Sequence, residues 1–153
     1  MRISETNNYE IIAKLNEPVQ NLHASLYPEH FHPYRYDAVK DFFQNMIDSP
    51  SFIFLLLEES NQSVGYAWLE LKSYPGNAFK KTYTSIYIHQ ISVLETYRNK
   101  GYGTQLLDYI YKIAKNKNIN MIELDYWLAN TTAKQFYAKN GFELYREFVY
   151  KKI

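Results

Sequence analysis

The sequence predicts a mixed α/β fold of three layers, with a central mixed, twisted sheet of about six to seven strands and helices on both faces. Segments with apolar residues at helical spacing alternate with β-branched and aromatic segments of strand length. Their order is βααββ, then βαβ, then αβ, and a strand–turn–helix–strand unit implies a parallel strand pair. The chain has 153 residues, of which 46% are hydrophobic, so we expect a single domain over residues 1–153.

The first part of the chain is predicted to be mainly helical. A short strand at residues 2–6 leads into a helix that is expected to break at residues 16–18, because proline lacks the helical N–H donor. Pro28 is predicted to end a second helical segment. Residues 27–36 are predicted to form an aromatic, histidine-rich loop. The next helix is predicted from five apolar residues at helical spacing: Val39, Phe42, Phe43, Met46 and Ile47.

The remainder is predicted to alternate between strands and helices. A hairpin is expected from strands at residues 51–59 and 64–74. The strand at residues 82–94 alternates and is predicted to place these side chains on one face: Tyr83, Ser85, Tyr87, His89, Ile91 and Val93. The last predicted elements are a helix from Gly101 to about Asn118, a strand at 121–127, a helix at 130–140 and a strand at 142–150.

Composition and charge exclude several functions. No apolar stretch reaches the roughly 20 residues of a membrane span, and the first residues lack an apolar signal core. We therefore expect a cytoplasmic protein without a membrane partner. The chain has no cysteine, which excludes disulfides, thiolate metal sites and cysteine nucleophiles. The net charge of +1 argues against a nucleic-acid partner.

A metal site is not expected. His23, His30 and His32 with Glu29 are residue types that bind metal ions. However, they lie in a loop region, and their spacing does not establish that the side chains converge on one metal ion. The sequence therefore predicts no metal ligand.

The strongest functional signal is a glycine-bearing turn that reads Arg98-Asn99-Lys100-Gly101-Tyr102-Gly103-Thr104. It follows a predicted strand and opens a predicted helix, so unpaired N–H groups would meet the positive end of the helix dipole. Glycines at 101 and 103 would let a diphosphate approach the backbone. A Walker-type loop does not fit, nor does a dinucleotide fingerprint, which needs glycine or alanine at Leu106.

The turn and a second segment together resemble the GNAT superfamily of acyl-CoA-dependent N-acyltransferases. The family's Arg/Gln-x-x-Gly-x-Gly/Ala turn matches at Arg98, Gly101 and Gly103. Its Asn-x-x-Ala-x-x-Phe-Tyr-x-x-x-Gly-Phe pattern matches from Asn130 to Phe142. The resemblance covers nearly the whole chain and implies acetyl-CoA as co-substrate. It further implies an acyltransferase that acts on a primary amine of a small molecule, amino acid or peptide by direct attack in a ternary complex.

The resemblance also implies where acetyl-CoA binds. In such a fold two parallel strands splay apart at the cofactor cleft, so backbone groups of the first strand can pair with the pantetheine arm. The glycine turn would hold the diphosphate, and Asn130 would contact the cofactor as well as cap its helix. The predicted cofactor-binding residues are Ile91, Ser92, Val93, Arg98, Asn99, Lys100, Gly101, Tyr102, Gly103, Thr104 and Asn130.

Acetyl transfer from a thioester requires an acid for the leaving thiolate. Tyr137 is predicted to be this acid, because a phenol pKa of about 10 lies close to that of an alkyl thiol. The resemblance implies the same role. The structural alternative is that Tyr137 only packs with Ala133 and Phe136.

The base that deprotonates the amine is predicted to be His89, which has suitable chemistry and lies on the strand before the glycine turn. Its predicted face is that of Ile91 and Val93, although a bulge would reverse this placement. A structural sheet histidine is the alternative. Other candidates for the base are Glu70, Glu123 and Asp125.

Three further expectations concern a second function, a partner and the acceptor site. The missing carboxylate before the glycine turn motivates a second function, a catalytically weak or inactive module that binds and senses acyl-CoA. The predicted last strand would be an edge strand, which favours a homodimer as a further partnership. By resemblance, the loop at residues 27–36 would form the wall of the acceptor site.

Overall fold

The computed structural model describes all residues from Met1 to Ile153. It contains one five-stranded sheet in the order β1-β2-β3-β4-β5. The strands are β1 (Arg2–Glu5), β2 (Phe52–Glu59), β3 (Gln62–Tyr74), β4 (Tyr83–Val93) and β5 (Ile122–Glu123). The first four strands are antiparallel to their neighbours, and β4 and β5 are parallel. The predicted mixed sheet is confirmed, with fewer strands than expected.

Four α-helices and one short 3-10 helix complete the fold. They are α1 (Tyr9–Leu26), α2 (Tyr36–Met46), the 3-10 helix (Glu95–Tyr97), α3 (Tyr102–Asn116) and α4 (Thr131–Lys139). No helix combines the length and the hydropathy that a bilayer span requires.

Two hydrophobic cores cover the two faces of the sheet. Alternation along β2 divides its side chains between them, because successive strand residues point to opposite faces. Phe54 and Leu56 pack in the core formed with α1 and α2, whereas Leu55 and Leu57 pack in the core that contains α3. The predicted arrangement of three layers is therefore confirmed.

Helix α1 differs from the prediction, because it continues through Pro18 without a break. Its first turn is capped by Asn8, whose Oδ1 accepts a hydrogen bond of 3.1 Å from the N–H of Ile11. Ile12 and Leu15 are buried in the core with α2. Burial of this apolar face outweighs the one backbone hydrogen bond that the proline removes.

The end of the sheet also differs from the prediction. The strand expected at residues 121–127 pairs only at Ile122 and Glu123, and the strand expected at 142–150 does not form. Apolar alternation predicts the tendency to form a strand, but a strand also needs a neighbour to pair with. The C-terminal residues pair with no strand, although the outer edge of β5 is open.

Candidate active site

Strands β4 and β5 separate along the sheet. They pair only at Ile86 with Ile122 and Tyr87 with Glu123, whereas β3 pairs with β4 as far as Val93. From residue 88 to residue 93, the β4 edge that faces β5 therefore has no strand partner. The N–H of Leu94 donates to the carbonyl of Val64 in β3, so the preceding N–H, that of Val93, points to this open edge. The predicted splay is confirmed.

The glycine turn places unpaired N–H groups at the start of α3. Asn99 has φ +61° and Gly101 has φ +81°, and the N–H of Gln105 closes the first helical turn on the carbonyl of Gly101 at 3.0 Å. The six N–H groups of residues 99–104 have no acceptor within the protein. Successive free N–H groups at a helix N-terminus form an anion-binding concavity. The turn thus has the geometry of a phosphate site.

The side chain of Arg98 ties this turn to the end of β4. Its Nε donates a hydrogen bond of 3.0 Å to the carbonyl of Val93. The guanidinium therefore satisfies the Val93 carbonyl on the open edge. At this edge Val93 then offers only its N–H to a ligand.

Gly103 has a role that the sequence did not predict. A Cβ at this position would lie 3.0 Å from the ring of Phe136, so glycine allows α3 and α4 to approach closely. Phe136 in turn lies edge-on to Tyr137, with ring centroids 5.1 Å apart. The second glycine of the motif therefore helps to position the predicted acid.

Helix α4 carries Tyr137 and begins at a side-chain cap. Asn130 Oδ1 accepts a hydrogen bond of 3.1 Å from the N–H of Ala133. Tyr137 is 8% exposed and packs against Tyr126 and Phe142 as well as Phe136. Burial raises the pKa of Tyr137 above its usual value of 10, so the phenol is protonated at neutral pH. The protonated phenol lies on the same side of the sheet as Val93.

His89 lies at a bulge in β4. Trp68 of β3 pairs with Gln90 and Leu69 pairs with Ile88, which leaves His89 as the extra residue. The prediction that His89 shares a face with Ile91 and Val93 is wrong, because the bulge reverses the alternation. Ile91 and Val93 pack toward α3, while His89 stacks on Trp68 beneath α2 with ring centroids 4.3 Å apart.

A carboxylate orients the His89 ring. His89 Nε2 lies 2.7 Å from Oε2 of Glu70, and Lys72 Nζ lies 3.5 Å from the same oxygen. An ionised carboxylate only accepts hydrogen bonds, so Nε2 carries the proton and Nδ1 carries the lone pair. Burial lowers the pKa of His89 and outweighs the opposite effect of Glu70. A neutral imidazole with an available Nδ1 can accept a proton.

The other two carboxylates are engaged by tyrosines at the bottom of the gap. Glu123 accepts a hydrogen bond of 3.1 Å from Tyr83, and Asp125 accepts one of 2.6 Å from Tyr87. Burial, then Asp125, raises the pKa of Tyr87. Of the three carboxylates predicted as alternatives, Glu70 is the one in contact with His89.

A cavity of about 640 Å³ lies between the α1–α2 region and the sheet. Trp68 and Gln90 belong to its wall, so it adjoins the bulge that holds His89. The lining residues are Asn16, Gln20, His32, Pro33, Arg35, Ala38, Val39, Phe42, Phe43, Trp68 and Gln90. Arg35 is the one Lys or Arg among them, and none is a carboxylate. The loop expected to form a wall therefore does line a cavity.

A buried polar network fixes the wall of this cavity beside the bulge. Asn16 Nδ2 donates to the hydroxyl of Tyr66 at 2.9 Å and to Oε1 of Gln90 at 3.0 Å. Tyr66 also donates to Gln90. A buried amide or hydroxyl group without a hydrogen-bond partner costs free energy, so the network holds α1 in a fixed position against β4. The sequence pattern assigned Asn16 only to a helix break.

The aromatic loop is anchored to the segment before α4. The hydroxyl of Tyr27 accepts a hydrogen bond of 2.8 Å from the N–H of Ala129, and its ring packs against Trp127. His30 and Phe31 contact the same Trp127 ring. The structure brings no three His, Asp or Glu side chains into a metal-binding group. His30 therefore lies in an aromatic cluster with Trp127.

Comparison with known proteins identifies the family. The model of the Acetyltransferase (GNAT) family matches residues 16–142. The chain belongs to the GNAT family. This assignment agrees with the open β4 edge and the turn at the start of α3, and it confirms the resemblance read from the two sequence motifs.

Solved structures share the GNAT fold along the whole chain. A tetramutant of the BH1408 protein from Bacillus halodurans is 22% identical, with a TM-score of 0.93 and 100% of each chain covered. The aminoglycoside N-acetyltransferase AAC(6')-Iy, in complex with CoA, is 17% identical with a TM-score of 0.72, covering 99% of this chain and 93% of that one. A predicted acetyltransferase from Clostridium acetobutylicum, with acetyl-CoA, is 22% identical with a TM-score of 0.70, covering 99% and 95%. At these identities the likeness is one of fold.

The predicted site residues of this GNAT chain form two groups. Ile91, Val93, the turn at residues 98–104 and Tyr137 lie together on the α3 side of the sheet. His89 lies on the α1–α2 side with Glu70. Ser92 is 6% exposed, so its side chain is buried. His89, Ile91 and Val93 all belong to the part of β4 that has no partner in β5.

Proposed function

We propose that residues 1–153 act as a single N-acetyltransferase domain that transfers an acetyl group from acetyl-CoA to a primary amine by direct attack in a ternary complex. The observation that carries this proposal is the unpaired β4 edge, which is followed, after the 3-10 helix, by a turn with six unpaired N–H groups. Family membership supports acyl transfer in general. The cytoplasmic location and the lack of nucleic-acid and membrane partners stay predictions from the sequence.

Acetyl-CoA is proposed to bind mainly to backbone groups. Ile91 and Val93 would pair with the pantetheine arm along the open edge of β4, as a strand would. The N–H groups of residues 99–104 would bind the diphosphate, with the hydroxyl of Thr104 as an additional donor. Asn130 uses Oδ1 for its cap, which leaves Nδ2 for the cofactor.

The two proton transfers are assigned to opposite faces of the sheet. The amine nitrogen attacks the thioester carbon, and its proton passes to Nδ1 of His89, which Glu70 holds in the required tautomer. As the C–S bond breaks, Tyr137 donates its proton to the thiolate sulfur. Burial raises the phenol pKa, so Tyr137 keeps its proton until the thiolate forms. This assignment requires the thioester to lie where β4 has no partner in β5, within reach of both groups.

The cavity beside His89 is proposed to bind the acceptor amine. Val39, Phe42 and Trp68 supply apolar and aromatic surface, and Arg35 supplies a positive charge without an acidic neighbour in the lining. A polycationic acceptor, such as the aminoglycosides named for one related structure, has no carboxylate to bind there. An acceptor that carries a carboxylate, such as an amino acid or a peptide, suits this charge.

The proposal is tested with the wild-type protein, acetyl-CoA and a panel of amino acids, peptides, aromatic amines and aminoglycosides. Free thiol release measures turnover, and calorimetry measures acetyl-CoA binding. Binding with turnover supports an N-acetyltransferase. Binding without turnover on any amine supports the acyl-CoA sensor instead, and the absence of binding contradicts both.

A further inference from the structure

The bulge in β4 places two consecutive side chains on one face of the sheet. Gln90 pairs with Trp68 of β3, and His89 is the extra residue that stacks on the same Trp68 ring. In a regular strand, side chains on one face are separated by an intervening residue, so they lie roughly 6.5 Å apart. The Cα atoms of consecutive residues are about 3.8 Å apart. The bulge therefore brings the proposed base and Gln90 closer together than a regular strand would.

The hydrogen bonds around Gln90 fix the orientation of its side-chain amide. Its Oε1 accepts a hydrogen bond of 3.0 Å from Nδ2 of Asn16 and another from the hydroxyl of Tyr66. Burial raises the pKa of Tyr66, so this hydroxyl keeps its proton and acts as the donor. The oxygen of a carboxamide only accepts hydrogen bonds, and the nitrogen only donates them. The amide is therefore held with its oxygen toward Asn16 and Tyr66.

The nitrogen of this amide remains available to a ligand. Gln90 is the acceptor in both of its hydrogen bonds, so Nε2 donates to no group of the chain. Gln90 also belongs to the wall of the cavity beside the bulge, where Trp68, Phe42 and Phe43 supply an aromatic surface. An oriented N–H donor in a largely aromatic wall is suited to an oxygen atom of the bound molecule.

We infer that Gln90 is a specificity-determining residue whose Nε2 binds a carbonyl or carboxylate oxygen beside the amine that receives the acetyl group. The acceptor is then the α-amine of an amino acid, an amino-acid amide or a peptide. In these compounds only the α-carbon and the carbonyl carbon separate the amine nitrogen from the oxygen, which matches a base and a donor on consecutive residues. The inference rests on the proposed acetyl transfer and selects among the acceptors that Arg35 would admit.

The same donor would discriminate against the side-chain amine of lysine. That amine has no oxygen on the neighbouring carbon atoms. When it reaches His89, Nε2 of Gln90 therefore loses contact with water and gains no acceptor. A polar group of the site that is left unpaired on binding lowers the affinity for the ligand that leaves it so.

The test is competition between the two amines of lysinamide, with NMR to distinguish the two acetylated products. Gln90→Glu keeps an oxygen for Asn16 and Tyr66 and replaces only the Nε2 donor. We expect the wild type to form mainly the α-product, and the variant to lower the ratio of α-product to side-chain product by about tenfold. Both amines belong to one molecule, so the difference between their own pKa values affects both proteins equally. Gln44→Glu, on the exposed surface of α2 outside the cavity lining, is the matched control and should keep the wild-type ratio.

The wild-type protein provides a second readout, which does not depend on the folding of a variant. With CoA bound, the side-chain N–H signals of Gln90 in NMR spectra should shift on addition of leucinamide. They should not shift with 3-methylbutylamine, which is the same amine without the carboxamide.

The inference is overturned if the wild type acetylates mainly the side-chain amine, if Gln90→Glu lowers both products equally or leaves their ratio unchanged, or if the two amines shift the Gln90 signals alike. Equal loss of both products would assign Gln90 a structural role only. Failure of the proposed function is distinguishable, because the wild type would then form neither product from any amine.

Discussion

The two faces of the sheet build the candidate site in different ways. On the α3 side, the proposed ligand-binding groups are backbone N–H groups: those of the open β4 edge and the six of residues 99–104. On the α1–α2 side, they are side chains from separate elements, such as His89, Glu70 and Arg35. A site made of backbone groups constrains the residue type only where the chain must turn. A site made of side chains depends on which helices and strands come together in the fold. The proposed cofactor half of the site therefore depends on backbone geometry, whereas the proposed acceptor half depends on the particular side chains of this protein.

The largest expected effect concerns the proposed acid. Tyr137→Phe should lower kcat by about 10² to 10⁴-fold, because the thiolate would leave without a proton donor. The Kd for acetyl-CoA should stay unchanged, since the variant keeps the ring and its packing. Thiol release and calorimetry measure the two quantities. Tyr126→Phe, whose ring stacks near Tyr137, is the control and should retain the wild-type rate. A fully active Tyr137→Phe would remove the acid from the mechanism.

The next effect separates the two faces. His89→Gln should lower kcat/KM at neutral pH by about 10²-fold and leave acetyl-CoA binding intact. Glu70→Gln should act in the same direction but less strongly, because it removes only the group that orients the ring. The activity lost in His89→Gln should be regained at high pH, where the amine deprotonates without a base. Equal losses at all pH values would contradict a role as base.

The pH profile of the wild-type enzyme follows from the shifted pKa. Burial lowers the pKa of His89 from 6.5, and only the neutral ring accepts a proton. The His89 contribution to kcat/KM should therefore persist below pH 6.5 and disappear as the pH falls through the lowered value. A titration of the ring by NMR provides the matching pKa. An inflection above 6.5 that belongs to His89 would be inconsistent with the buried site.

A smaller effect is expected at the turn. Gly101 and Gly141 have φ of +81° and +83°, so alanine at either position should reduce the free energy of unfolding by about 1–2 kcal/mol. Only Gly101→Ala should also weaken acetyl-CoA binding, by about tenfold, because it displaces the N–H groups of the turn. Denaturant unfolding and calorimetry distinguish the two effects. Equal acetyl-CoA affinities in both variants would show that the turn does not bind the diphosphate.

The smallest effect concerns acceptor choice. Arg35→Gln should raise KM by about tenfold for amino-acid acceptors and have no effect on the corresponding amides, since Arg35 is exposed and its ion pair is partly screened. Comparing each amino acid with its amide isolates the contribution of the carboxylate to KM. A uniform change for both would indicate a packing effect. No turnover with any amine would instead count against the proposed function itself.

Local sequence patterns predicted most elements correctly where the backbone hydrogen bonds form within one helix or between the two strands of a hairpin. Helix α3 with its apolar stripe, the β2–β3 hairpin and the Asn130 cap of α4 all lie where expected. Predictions failed where a neighbour decides the outcome. Pro18 is tolerated because α1 packs on α2 and the sheet, and residues 142–150 form no strand because they do not pair with either edge of the sheet.

The sequence by itself determined the proposed cofactor half of the site. Its two motifs, Arg98 to Thr104 and Asn130 to Phe142, locate a turn and a helix whose geometry is encoded locally. Only the tertiary structure decided the acceptor half. One extra residue in β4, accommodated opposite Trp68, moved His89 to the other face and brought it to Glu70. A bulge depends on pairing between strands, so no local pattern in β4 alone specifies on which face a side chain will lie.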